Sequence, residues 1–231
     1  ANTAWIAGSS GLILKTTDGG ANWRRQSARS ELNDVSAINA SVAFAVGHDG
    51  IILKTSDGGA TWRFRESGTT IELKRVFTVN SNVAWVLGYG PEYNGSNYRN
   101  IILRTTNGGT TWVERPISTS NELNGICAIS SANALVVGDD GGIYGPTDGG
   151  SNWLKRASTT TEDLNDVDTD GDMYIYVVGD SGTTLRSDTA GRVWRTFNSG
   201  TNADLTDVSM ASYFVVWACG RHDGLILMTT N

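Results

Sequence analysis

The sequence predicts an all-β fold, a β-propeller of four-stranded antiparallel blades, six in number, with the first and last incomplete. Three observations predict it. A ten-residue segment recurs as LKTTDGGANW at 14–23, LKTSDGGATW at 53–62 and LRTTNGGTTW at 103–112. Its closing tryptophan recurs at Trp23, Trp62, Trp112, Trp153 and Trp194, at intervals of 39, 50, 41 and 41 residues. A leucine preceded by an acid keeps the same period, at Leu32, Leu73, Leu123, Leu164 and Leu205. Two independent markers on one period are the signature of duplicated units.

The unit 32–72 shows the elements in order. LNDVSAI alternates and reads as a first strand, A, and VAFAVG reads as a second, B. HDG is a short turn, IILKTS a third strand, C, DGGA a second turn, and TWRFRES a fourth strand, D. Four short strands bounded by Gly, Asp and Asn turns match one propeller blade. No apolar pattern keeps a 3.6-residue period over ten residues, so helices are not expected. The repeats run approximately 1–31, 32–72, 73–122, 123–163, 164–204 and 205–231, read as a single domain over 1–231.

The DGG turn has a mechanical reading. Asp57 is placed to accept amide hydrogens of its own turn, as Asp does in turns. Gly58 and Gly59 reach positive φ without steric cost. Trp62 then buries a large ring against neighbouring strands. The aspartates and tryptophans of the repeat, Asp18, Asp57, Asn107 and Asp148 with Trp23, Trp62, Trp112, Trp153 and Trp194, are therefore assigned to structural turns.

Composition narrows the function. The 231 residues are 39% hydrophobic and 18% charged, with 28 Gly, 3 Pro and a net charge of -6. That is a turn-rich globular composition. The acidic balance argues against a nucleic-acid or anionic-membrane binder, which needs a basic face. No apolar run approaches the length of a transmembrane helix. Cys127 and Cys219 lie in apolar strand-like runs of different repeats, which reads as two buried free thiols. The chain starts at Ala, which fits removal of a secretory signal, and an extracytoplasmic or secreted location is the expectation.

The turn segments resemble the Asp-box, or bacterial neuraminidase repeat, near S/T-x-D-x-G-x-x-W. SDTAGRVW is a degenerate copy with Thr189 at the aspartate position, and a sixth copy begins at Asn231. The resemblance implies turns on the face away from an active site. The fuller unit, LNDV through LKTSDGGATW, looks most like the photosystem II stability/assembly factor family. That resemblance covers almost the whole chain and implies a binding or assembly role. Such repeats also occur in sialidases, sortilin-type receptors and xyloglucan-active glycosidases. The Arg-Ile-Pro segment that sialidases carry is missing, and GxSxG and HExxH are absent.

The face opposite the Asp-boxes is where a propeller of this kind would bind. Each complete unit places an acid before its marker leucine: Glu31, Glu72, Glu122, Asp163 and Asp204, with Asp34, Asp166 and Asp207 close by. This acidic ring reads either as acceptors for loop amides or as a site for Ca²⁺ or a basic segment. The third unit alone carries a long insertion, GYGPEYNGSNYRN, with Tyr89, Tyr93, Asn94, Tyr98 and Arg99; Arg75 stands on its first strand. Tyr and Asn on a loop suit an adaptable contact surface. His48 and His222 occupy equivalent HDG turns and read as turn filler. Strand D repeatedly carries bases, among them Arg24, Arg63, Arg65, Arg115, Arg156 and Arg195, which protect an exposed sheet edge or meet an acidic partner.

The first unit lacks strand A and the last lacks strand D. Six blades closing imperfectly, part of a seven-bladed propeller, and end blades completed by strands of neighbouring molecules all remain open. The function expected is a non-catalytic protein-binding or assembly scaffold. A lectin-like glycan binder, a self-assembling subunit and, third, a two-carboxylate glycosidase are the alternatives. No cofactor is expected beyond the Ca²⁺ option.

Overall fold

The computed structural model describes residues 2–27, 30–91, 98–146, 148–171, 173–212, 214–221 and 224–229. Within them lie 22 strands, short 3-10 turns and no α-helix. The sheets are six, each within one sequence repeat, and the fold is an all-β propeller of six blades. Contacts divide the chain into two compact units, Ala1–Arg115 and Pro116–Asn231.

The first unit contains blade 1, of β1 (Ala4–Gly8), β2 (Leu12–Thr16) and β3 (Arg24–Ser27). Blade 2 follows with β4 (Leu32–Ala37), β5 (Ala43–Gly47), β6 (Ile52–Thr55) and β7 (Arg63–Arg65). Blade 3 is β8 (Leu73–Thr78), β9 (Ala84–Pro91), β10 (Tyr98–Thr105) and β11 (Val113–Glu114). In the second unit blade 4 is β12 (Leu123–Ala128), β13 (Ala134–Gly138), β14 (Gly142–Pro146) and β15 (Trp153–Lys155). Blade 5 is β16 (Leu164–Thr169), β17 (Ile175–Gly179), β18 (Thr183–Ser187) and β19 (Arg195–Asn198). Blade 6 is β20 (Leu205–Ser212), β21 (Val215–Gly220) and β22 (Ile226–Thr229). Every sheet is an antiparallel meander in chain order.

Burial follows from the stacking of blades. The second strand of blades 2, 4 and 5 is buried at every position. Such strands need continuous apolar runs, and AFAVG, ALVVG and IYVVG supply them. In the second unit Tyr176 and Val178 of blade 5 pack on Leu205, Val208 and Val216 of blade 6. In the first, Phe44, Val46 and Ile52 of blade 2 pack on Leu73, Val76 and Val86 of blade 3.

Two of the turn tryptophans pack against the blade before their own. Trp62 of blade 2 meets Trp5 of blade 1 edge-to-face, 5.7 Å between centroids at 89°. Trp112 of blade 3 meets Phe44 of blade 2 in the same way, at 5.8 Å and 86°. Aromatic pairs favour this arrangement because one ring's positive edge faces the other's negative face. The five indoles are not equally buried: Trp194 is 5% exposed and Trp23 40%. Both cysteines are free, Cys127 buried and Cys219 only half-buried. Burial pushes the Cys127 thiol well above its ordinary pKa, so it is an inert filler.

Candidate functional site

The Asp-box turn satisfies itself. Asp57 Oδ1 accepts the amide of Thr61 and the hydroxyl of Thr55, each at 2.9 Å, and Thr55 Oγ1 accepts the amide of Gly59 at 2.8 Å. Gly58 and Gly59 sit at φ of 73° and 88°. The donors, Thr61 first, hold the Asp57 carboxyl down at about 2; Asn22 and Thr16 do the same for Asp18. Asn107 reproduces the bonds with an amide oxygen, accepting Thr111 N at 2.9 Å. In the degenerate copy Thr189 Oγ1 accepts the amide of Val193 at 2.9 Å, and Asp188 instead faces Arg195 at 3.5 Å. The carboxylates of Asp18 and Asp57 are engaged within their own turns.

The turns also receive a cation from the blade before. Lys15 on β2 donates to the carbonyl of Gly58 at 3.1 Å, and Lys54 on β6 to that of Gly108 at 2.8 Å. Trp62 Nε1 donates to Gln26 of blade 1 at 3.2 Å.

The opposite loops hold the acids. The first strand of blades 2 to 6 opens with a register shift, between Leu32 and Asp34, Leu73 and Arg75, Leu123 and Gly125, Leu164 and Asp166, and Leu205 and Asp207. A bulge re-aims the residues on either side of it. Asn33 therefore reaches the next blade, donating to Glu72 Oε1 and to the Leu73 carbonyl, both at 2.9 Å. Asn124 and Asn165 repeat the bond to Leu164 and Leu205 at 3.1 and 2.9 Å. Asp34 Oδ2 accepts Val76 N at 2.8 Å, and Asp166 Oδ2 accepts Val208 N at 2.9 Å. These amides lie on the first strand of a sheet, where among the described residues no further strand pairs with them.

The acids before the marker leucines act on turns. Glu31 Oε2 accepts Ser10 N at 2.8 Å, Asp163 Oδ1 accepts Asp140 N at 2.9 Å, and Asp204 Oδ1 accepts Ser181 N at 3.1 Å. Each donor residue has a φ between 53° and 55°, a left-handed position that projects its amide outward. Glu72 takes Asn33 and lies 3.3 Å from His48 Nε2. Glu122 gives its backbone carbonyl to Asp139 N at 3.0 Å, and Asp207 is exposed on β20. Most of these acids point along seams and give their oxygens to amides. Among the described residues no group of three or more His, Cys, Asp or Glu could hold a metal ion.

The inserted hairpin of blade 3 is the other candidate. It lengthens β9 and β10 to 8 residues each, against 4 or 5 in the same strands of blade 2. Tyr98 pairs with Pro91 and Asn100 with Tyr89, so alternation puts Tyr89 and Tyr98 on one face of the ribbon. Their rings are 5.6 Å apart, tilted by 44°, and Lys74 Nζ stands 5.2 Å over the Tyr89 ring. Tyr98 is 63% exposed. Arg99 faces the other way and pairs with Glu114. Arg75 is half-buried, with Nη1 3.4 Å from the Lys74 carbonyl. Tyr93 and Asn94 lie outside the described residues, as does His222. The structure therefore brings together Tyr89 and Tyr98 and adds Lys74, and it separates Arg99 from them.

Two sets of residues escaped the sequence reading, the Asn33, Asn124 and Asn165 bridges and Lys74. Both had a visible signal. The asparagine follows the marker leucine in three units, and Lys74 breaks that pattern in the unit with the insertion.

Repeated sheets of three or four strands, with Asp-box turns or their Asn and Thr variants between the last two strands, define a β-propeller of the Asp-box kind. The chain belongs to the photosynthesis system II assembly factor YCF48 family, whose model matches residues 26–162. A solved structure described as YCF48 bound to D1 peptide is 18% identical, covers 100% of this chain and 75% of its own, and superposes with a TM-score of 0.76. YCF48 from Cyanidioschyzon merolae is 19% identical over 99% of this chain and 91% of its own, with a TM-score of 0.55. An ancestral GH74 enzyme is 15% identical over 96% of this chain and 34% of its own, with a TM-score of 0.72. At these identities the likeness is one of fold. No curated protein matches the sequence.

Proposed function

We propose that this chain is a non-catalytic scaffold that binds an extended segment of a protein partner and presents it for assembly. The observation that carries the reading is membership of the YCF48 assembly-factor family over residues 26–162. The surface we assign to the contact is the blade 3 hairpin, with Tyr98 exposed, Tyr89 beneath it and Lys74 against the Tyr89 ring. Paired tyrosines supply rigid apolar area with a polar tip at low entropic cost, and a cation beside them selects a polar or acidic backbone segment. The acids of the other loops serve the seams, which supports a scaffold over a hydrolase.

The test uses a labelled D1 peptide, the ligand of one structural relative, titrated into the chain by fluorescence anisotropy. Saturable binding that weakens about tenfold in Tyr98→Ala is expected, the size of a modest aromatic contact. Absence of saturable binding removes a D1-type segment as the partner; equal binding by Tyr98→Ala removes the hairpin as its place.

A glycan is the second reading, because an exposed tilted tyrosine pair also suits a sugar face. A glycan array with Tyr98→Ala as control decides it, and silence on the array ends it. Self-association along the blade 6 edge is to be read from light scattering at rising concentration.

A further inference from the structure

The seam between blades 4 and 5 departs from its siblings at three positions that meet in space. Where Lys15 and Lys54 close their seams by donating to Gly58 and Gly108, blade 4 has Gly145. The Arg156 guanidinium fills the place: a Cβ on Gly145 would lie 2.4 Å from Arg156 Nε. At the turn opposite, the position held by Ala21, Ala60, Thr110 and Ser151 carries Arg192. In that same turn the box carboxylate of Asp18, Asp57 and Asp148 is replaced by Thr189. The turn's carboxylate has moved one position, to Asp188, which faces Arg195, and an arginine has been added beside another.

The two side chains line a cleft of about 310 Å³ with Ile129, Asn133, Pro146 and Ala190. None of its lining residues is acidic. Among the described residues Arg156 Nε is buried without a hydrogen-bond partner, as are Arg65 Nε and Arg115 Nε at the same position of blades 2 and 3. Asp188, the nearest carboxylate in the turn sequence, is turned toward Arg195 at 3.5 Å. Burial, then the charge of Arg192, lowers the pKa of Arg156, so the pair is a repulsive arrangement. Two guanidinium groups facing one small cleft, with no acid among its described lining residues, are an arrangement completed by an anion.

We propose that this cleft binds a dianionic phosphate group, as the end of a phosphate monoester. The charge decides the class. A carboxylate would neutralise one of the two arginines, whereas a phosphate monoester near pH 7 carries close to two negative charges and three acceptor oxygens. The planar forks of Arg156 and Arg192 supply paired donors for those oxygens, and Pro146 and Ile129 supply an apolar wall for the ester carbon. This site is independent of the blade 3 hairpin.

The experiment titrates phenyl phosphate, inorganic phosphate and acetate into the full chain at constant ionic strength, read by calorimetry and by melting temperature. The expected result is saturable phosphate binding, absent with acetate, that strengthens as pH rises through about 6, where a monoester takes its second charge. Arg156→Gln and Arg192→Gln should each weaken it tenfold or more, about the loss of one charge-assisted donor pair. Arg192 lies on an exposed turn, so its variant answers even if Arg156→Gln disturbs the seam. Equal effects of acetate and phosphate, or unchanged phosphate affinity in Arg192→Gln, would overturn the proposal. Binding of the hairpin's partner should be unaltered in both variants.

Discussion

The carboxylate of Asp168 on β16 accepts the amide of Met210 on β20 at 2.8 Å, and its second oxygen accepts the amide of Thr169, also at 2.8 Å. Two adjacent blades are thereby tied at their inner edges by one side chain. Burial nevertheless dominates the two hydrogen bonds and, with Asp207 nearby, raises the Asp168 carboxyl from 3.8 to about 6.

A pH dependence follows. A folded-state pKa above the unfolded one means that the contribution to stability is complete below about 4 and is lost as pH rises through about 6. The group should make the second unit about 2 kcal/mol less stable at pH 7.5 than at pH 4.5. Urea unfolding at the two pH values measures it. Asp168→Asn keeps the shape without the titration, and its pH slope should be flatter by that amount. An unchanged slope would refute the assignment.

The Asp-box turns titrate in the opposite sense. Asp18 and Asp57 are held at about 2, below the ordinary 3.8, so their contribution is present above about 4 and fades as pH falls through about 2. Asp57→Ala should lower the melting temperature clearly, since Thr61 N loses its acceptor and Thr55 its partner. Asp57→Asn should cost much less, because Asn107 already makes the same bonds in blade 3. Thermal melts of the three proteins at pH 7 decide this, and equal losses for Ala and Asn would count against the turn's dependence on a single acceptor oxygen.

Blades were legible because their determinants are local. The DGG glycines, the apolar second strands and the marker leucines each announce a turn or a buried run within a few residues. The seams were not, because a seam joins residues some forty positions apart. Asp34 reads as an acid near a loop until Val76 is seen 2.8 Å away. For the same reason Tyr89, Tyr98 and Arg99 read as one cluster, while strand alternation sends Arg99 to Glu114 and Lys74 supplies the cation instead.

The repeat suggests five equivalent tryptophans, but exposure separates them. Trp194 is 5% exposed and fills its seam, whereas Trp23 is 40% exposed. Removing a fully packed indole leaves a cavity, and Trp194→Ala should cost about 3–5 kcal/mol. Trp23→Ala should cost less than half of that, in proportion to the area it keeps from water. Denaturant midpoints with unchanged slopes would measure the pair. Equal costs would show that the indoles act through the turn and not through the seam.

The asparagine bridges give the sharpest contrast. Asn165 Nδ2 donates to Asp180 Oδ1 at 2.7 Å and to the Leu205 carbonyl at 2.9 Å, so its role depends on hydrogens and not on shape. Asn165→Ala should cost about 1–2 kcal/mol, the price of two acceptors left to water in a partly covered seam. Asn165→Asp is nearly isosteric but sets a carboxylate against another carboxylate and a carbonyl oxygen. At pH 7 it should be less stable than the alanine variant. Acidification should relieve it, because a protonated carboxyl again donates to one of the two oxygens. Urea unfolding of both variants at pH 7 and pH 4 tests the reversal. If the aspartate variant matches wild type at pH 7, the seam is held by packing alone.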